Sequence, residues 1–117
     1  MQRLLQSLLV LFLLPTPALA ETTEVIVLVE AEAKPDNIAS VLMGFKNSQG
    51  QCPQWEGCLD FQLTVSDNNP NLVILVERWT SAALHRKEVQ SIMGQDSFAE
   101  FRALLVKDLN FHYLNLQ

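Results

Sequence analysis

The sequence predicts an α+β domain in which a four-stranded antiparallel sheet carries helices on one face, and three observations lead there. The run Leu72-Val73-Ile74-Leu75-Val76 is apolar, β-branched and too short for a core helix, and it closes on Thr80 and Ser81, both good helix N-caps. Ile38, Val41, Leu42 and Phe45 recur at i, i+3, i+4 and i+7, one face of a helix. The predicted elements follow the order βα-ββ-αα-β in under 100 residues, an α+β sandwich with an antiparallel sheet.

In chain order, residues 1–20 read as a secretory leader rather than as part of the fold. Arg3 is the positive n-region, Leu4 to Leu14 the apolar h-region, and Ala18-Leu19-Ala20 an A-x-A cleavage site. The apolar run stops at Pro15, short of the ~20 residues needed to span a bilayer. The expected mature chain therefore starts at Glu21 and is periplasmic or secreted, with no stable membrane insertion. Of 117 residues it keeps 97, one domain covering 21–117. The whole chain has 8 Lys+Arg and 13 Asp+Glu, net −5; losing Arg3 makes it −6, and no basic cluster is present, which excludes nucleic acid as a partner.

Val25 to Ala31 reads as a first strand, apolar on both sides, and Lys34-Pro35-Asp36-Asn37 as the start of the first helix. Asn47 to Gly57 has the Ser, Gly, Gln and Pro content of a loop. It contains Trp55, which either lids a pocket or plugs the edge of the core. Cys52 and Cys58 lie six apart in a chain expected to be exported. A Cys52–Cys58 disulfide closing this short loop is the expectation, ahead of two free thiols; the spacing matches neither a C-x-x-C redox pair nor a zinc site.

Leu59 to Ser66 alternates as a strand with one apolar face, and Asp67 to Asn71 turns the chain into the central strand. There, period 2 separates Leu72, Ile74, Val76 and Arg78 from Val73, Leu75, Glu77 and Trp79. A helix from Ala82 to about Met93 presents Leu84, His85, Glu88, Val89 and Ile92 on one broad face and stops at Gly94. Asp96 or Ser97 caps another helix with a Phe98, Phe101, Leu104, Leu105 stripe. Lys107 to Leu116 reads as the last strand, Leu109, Phe111 and Tyr113 on one face and Asn110 and His112 on the other. Because the first and third strands are apolar on both faces while helices cover only one, the simplest second layer is the sheet of an identical subunit.

The order of Pro35, Gly57-Cys58-Leu59, Asn69-Pro70-Asn71, Glu77-Arg78-Trp79 and Phe98 resembles the antibiotic biosynthesis monooxygenase (ABM) domain, from Val25 to Leu116. The resemblance implies a ferredoxin-like βαββαβ fold with an antiparallel four-stranded sheet, assembled as a dimeric α+β barrel. It also implies oxidation of a quinol-like or phenolic molecule by dioxygen without a cofactor. One departure stands out: the family commonly has a His nine residues beyond the Trp, where this chain has Glu88. Haem-degrading relatives add an Asn on the first strand, which Val25 to Ala31 lacks.

No Gly-rich phosphate loop, nucleophile elbow, zinc-protease motif or dinucleotide fingerprint is present. The expected chemistry is an apolar pocket with a few inward polar groups: a base, and a hydrogen-bonding partner for a developing oxyanion. Trp79, His85, Glu88 and Glu77 are the candidate catalytic residues, Trp79 and Glu77 sharing a strand face and His85 and Glu88 one helical turn apart. Each has a plainer role open to it. Trp79 could be core, Glu77 could pair with a cation at the sheet end, and His85 could be half-exposed. Arg78, on the opposite face, could reach a dimer partner. The alternative function is a non-catalytic member of the same fold that binds a small apolar ligand or serves as a dimeric interaction or stress module.

Overall fold

The computed structural model describes residues 24–117; the expected leader and cleavage site lie outside these residues. The element order is β1 (Val25–Glu32), α1 (Ile38–Gln51), a 3-10 turn (Cys52–Gln54), β2 (Cys58–Val65), β3 (Leu72–Trp79), α2 (Ala82–Met93), α3 (Asp96–Arg102) and β4 (Asn110–Leu114). The strands form one sheet in the order β2-β3-β1-β4, every neighbouring pair antiparallel. This is the expected α+β, ferredoxin-like arrangement.

Period 2 decides what each strand gives to the two faces. Val25, Val27, Val29 and Ala31 of β1 and Val73, Leu75, Glu77 and Trp79 of β3 are buried under the helices. Val41 and Phe45 of α1 close the core from above, and the Phe45 ring meets Phe101 of α3 edge-on at 5.0 Å. Gly44 makes that approach possible, since a Cβ there would sit 2.9 Å from Phe101 Cε1. On the other face Ile26, Leu28, Ile74 and Val76 are only half-buried.

Several boundaries differ from the sequence expectation. α1 starts at Ile38, not around Pro35, because Asp36 has φ 75 and Lys34 to Asn37 form a turn, with Asn37 N–H donating to the Lys34 carbonyl at 3.0 Å. Asn47 to Gln51 are helical rather than loop: the single Gly50 costs only about 1 kcal/mol against Ala near the helix end, and no proline stands before Pro53. The Gln49 side-chain amide ties this last turn to the Phe61 carbonyl at 2.8 Å. β2 opens with a bulge, Cys58 pairing with Trp79 and Asp60 with Arg78, so Leu59 is displaced and 44% exposed instead of heading the apolar face.

At the other end, Ser81 caps α2 as expected, its Oγ accepting from Leu84 N–H at 3.2 Å. α3 begins after Gln95, whose side chain makes no cap bond, and ends at Arg102. Leu104 and Leu105 therefore follow the helix rather than continuing its stripe. Leu105 is fully buried through a bridge to Ala33, and Val106 N–H donates to the Glu32 carbonyl at 2.8 Å, which delivers the chain into β4. β4 is shorter than the expected Lys107 to Leu116 but presents the expected faces.

Candidate functional site

Between the sheet and the three helices lies a cavity of about 350 Å3. Its walls are aromatic: Trp55, Phe61, Trp79, Phe98, Phe101 and Phe111. Trp55 stacks on Trp79, centroids 6.2 Å apart and planes 18° apart, and also meets Phe61 at 6.4 Å. Its position is fixed by the Cys52–Cys58 disulfide that brackets it, with Cα atoms 5.5 Å apart. Gly57 closes the same loop at φ 89, where a Cβ would strike Leu84 Cδ1 at 2.7 Å. Trp55 packs against the core, as the plainer reading has it, and also lines the cavity.

All four candidate residues line this cavity. Glu77 is 4% exposed and His85 2%, so the plainer readings of a sheet-end ion pair and a half-exposed histidine do not hold. The register explains how they meet. Phe61, Glu77, Val27 and Tyr113 form one row across β2, β3, β1 and β4, all facing the helices. His85 comes down from the first turn of α2 and bridges the two polar members of that row. Its Nδ1 is 2.8 Å from the Tyr113 hydroxyl and its Nε2 is 3.7 Å from Glu77 Oε1. Trp79 Nε1–H donates to the same Glu77 oxygen at 2.8 Å, and the His85 ring stands edge-on to Trp79 at 5.1 Å.

Burial sets the charge states. It raises the Glu77 carboxyl to about 7, the Trp79 hydrogen bond opposing it, and lowers His85 to about 4, helped by the neighbouring Arg86 charge. At neutral pH His85 is uncharged and Glu77 is balanced between acid and carboxylate. Glu88 is half-buried one turn along α2 and also faces the cavity. Arg78 points to the open sheet face, where its Nη1 is 3.1 Å from Glu24 Oε1. Among the described residues no group of three His, Cys, Asp or Glu could hold a metal ion.

Tyr113 is the site residue not singled out from sequence. The alternation of the last strand groups it with Leu109 and Phe111 on one face, and a half-buried phenol takes a polar partner. That pairing of facts was the available signal.

The family model for antibiotic biosynthesis monooxygenase matches residues 24–104, most of the described fold. The chain belongs to the antibiotic biosynthesis monooxygenase family. Solved structures with a similar fold include a conserved protein from Methanosarcina mazei, 17% identical with a TM-score of 0.67, covering 83% of this chain and 96% of that one. A second, described as an antibiotic biosynthesis monooxygenase, is 18% identical with a TM-score of 0.63, covering 80% and 98%. A Mycobacterium tuberculosis protein is 18% identical with a TM-score of 0.62, covering 81% and 96%. At these identities the likeness establishes the fold. No curated protein matches at a significant level.

Proposed function

We propose that this chain is an exported, homodimeric monooxygenase that oxidises a neutral phenolic or quinol-like aromatic with dioxygen and needs no bound cofactor. The observation that carries the reading is the Glu77–His85 pair at the floor of an aromatic cavity: a carboxyl titrating near neutrality beside an uncharged imidazole. Such a carboxylate is suited to take a phenolic proton at neutral pH. The Trp55, Trp79 and Phe111 rings would hold the substrate flat and keep water from the electron-rich anion. The balance closes without another reductant: a phenol with a free para position plus O2 gives a quinone plus H2O, the substrate supplying all four electrons.

The lining argues for a substrate without charge. The polar lining includes Asn47, Ser48, Gln51, Gln95 and Ser97, and no Lys or Arg is among the lining residues, so a carboxylate or phosphate would enter unpaired. The size of the cavity, about 350 Å3, lies at the small end of the usual range for ligand sites.

Oxygen uptake with a panel of phenols, naphthols and quinols tests the reading. Turnover is expected with quinone as product, and kcat/KM should fall as pH drops below about 7 as Glu77 takes up its proton. Glu77→Gln should lower kcat by about 100-fold or more while the aromatic still binds. Unchanged turnover in that variant would overturn Glu77 as base. Tight binding across the panel with no oxygen uptake would establish the ligand-binding alternative instead.

A further inference from the structure

We propose that Tyr113 holds His85 in the tautomer whose proton sits on Nε2, so that His85 meets the cavity as an uncharged hydrogen-bond donor and leaves Glu77 as the only base of the pair. Tyr113 is a positioning residue here: it lies behind His85 on β4, and the cavity wall on that strand is formed by Phe111.

A neutral imidazole has one donor and one acceptor nitrogen, so fixing one end fixes the other. The 2.8 Å contact between the Tyr113 hydroxyl and Nδ1 is compatible with either direction of donation, and two neighbours select one. The Arg86 guanidinium lies 4.4 Å over the Tyr113 ring. A cation above a phenol draws electron density from it, making its O–H the better donor and its oxygen the poorer acceptor. At the opposite end, Nε2 faces Glu77 Oε1 at 3.7 Å. With Glu77 as the carboxylate, the form that acts as base, a proton on Nε2 points toward that oxygen, whereas the other tautomer would set a lone pair against it. Burial raises the Tyr113 hydroxyl, so its proton stays in place to be donated.

The role as donor to a substrate oxygen rests on the function proposed above; the tautomer does not. His85 lines the cavity, and an Nε2–H shared between Glu77 and a substrate oxygen would stabilise negative charge developing there, a task that a base at the same atom could not perform.

Long-range proton–nitrogen correlation spectra of the exported chain, labelled with nitrogen-15 histidine, decide the tautomer without any substrate. His112→Gln on the open sheet face separates the two histidines. His85 should show a protonated Nε2 and an unprotonated, hydrogen-bonded Nδ1. In Tyr113→Phe the Nδ1 signal should move to that of an unbonded nitrogen, with part of the proton population shifting to Nδ1. A proton on Nδ1 in the unaltered protein, or an unchanged His85 pattern in Tyr113→Phe, would overturn the proposal. Should Tyr113→Phe not fold, Arg86→Met should move the Nδ1 signal in the same direction, and no movement would count against it. With a turned-over substrate, Tyr113→Phe should lower kcat about tenfold with KM little changed. A chain that shows the Nε2–H tautomer but consumes no oxygen would fail the proposed function and leave the tautomer standing.

Discussion

Glu77 and His85 are ionisable groups buried 3.7 Å apart, and burial acts on them in opposite directions. Glu77 rises from 4.5 to about 7, and His85 falls from 6.5 to about 4. The folded Glu77 therefore binds more protons than the unfolded one between about pH 4.5 and 7, so its contribution to stability is lost as pH rises through that window. For His85 the unfolded state binds more protons between about pH 4 and 6.5, so its contribution grows as pH rises. Between pH 4.5 and 6.5 the two slopes nearly cancel, because the proton an unfolded chain keeps on histidine is kept on the carboxyl when folded. Removing one member exposes the other. Denaturant unfolding of Glu77→Gln should show stability rising with pH between 4 and 6.5, by up to about 1.4 kcal/mol per pH unit. His85→Gln should show the opposite slope between pH 4.5 and 7. Two flat profiles would mean that the groups are not held in these charge states.

At the scale of elements, the 3-10 turn and the start of β2 are joined by the Cys52–Cys58 disulfide, and Trp55 rides on that loop. Closing a seven-residue loop stabilises by roughly 2 to 2.5 kcal/mol in the chain-entropy account. The mass of the exported chain should correspond to a start at Glu21 and lie two hydrogens below the reduced form, with no thiol titrated under denaturing, non-reducing conditions. Paired Cys52→Ser and Cys58→Ser should lower unfolding stability by about 2 kcal/mol and free Trp55 from Trp79, seen as a changed tryptophan emission. The elements show which signals a sequence carries. Alternation in β3 and helical spacing in α1 and α2 were legible, and with them the shared face of Glu77 and Trp79 and the one-turn spacing of His85 and Glu88; that the two pairs meet at one cavity came only from the packing of α2 on the sheet. The end of α1 was not, because exposed Asn, Ser and Gln are neutral enough to follow either a helix or a loop. The Leu59 bulge was invisible too: inserting one residue leaves the local pattern intact and changes only its register against Trp79 and Arg78. Tyr113 was grouped with Leu109 and Phe111 but not placed in the site, since its partner comes from a helix 28 residues away in sequence.

For the whole molecule, the face turned away from the helices poses the remaining question. Ile26, Leu28, Ile74 and Val76 form an apolar centre there, and Leu114 extends it at the edge, 42% exposed. Polar pairs frame that centre: Glu30 with His112 at 2.7 Å and with Asn110 at 2.9 Å on one side, Arg78 with Glu24 at 3.1 Å on the other. A stripe of this kind with a paired polar rim has the composition of a subunit interface. Burying even ~400 Å2 of it per subunit is worth about 10 kcal/mol at roughly 25 cal/mol per Å2, before the costs of association. The two faces are now assigned, so adjacent substitutions should behave differently. Leu75 points into the helix-packed core and is 3% exposed; Leu75→Lys buries an unpaired ammonium and should abolish folding. Ile74 points out from the open face, and Ile74→Lys should give a folded monomer with an unchanged helical signal. Sedimentation should place the unaltered exported chain at the mass of two 97-residue subunits and Ile74→Lys at one. An unaltered chain sedimenting as a monomer would remove the paired-sheet assembly and leave the open face without its partner.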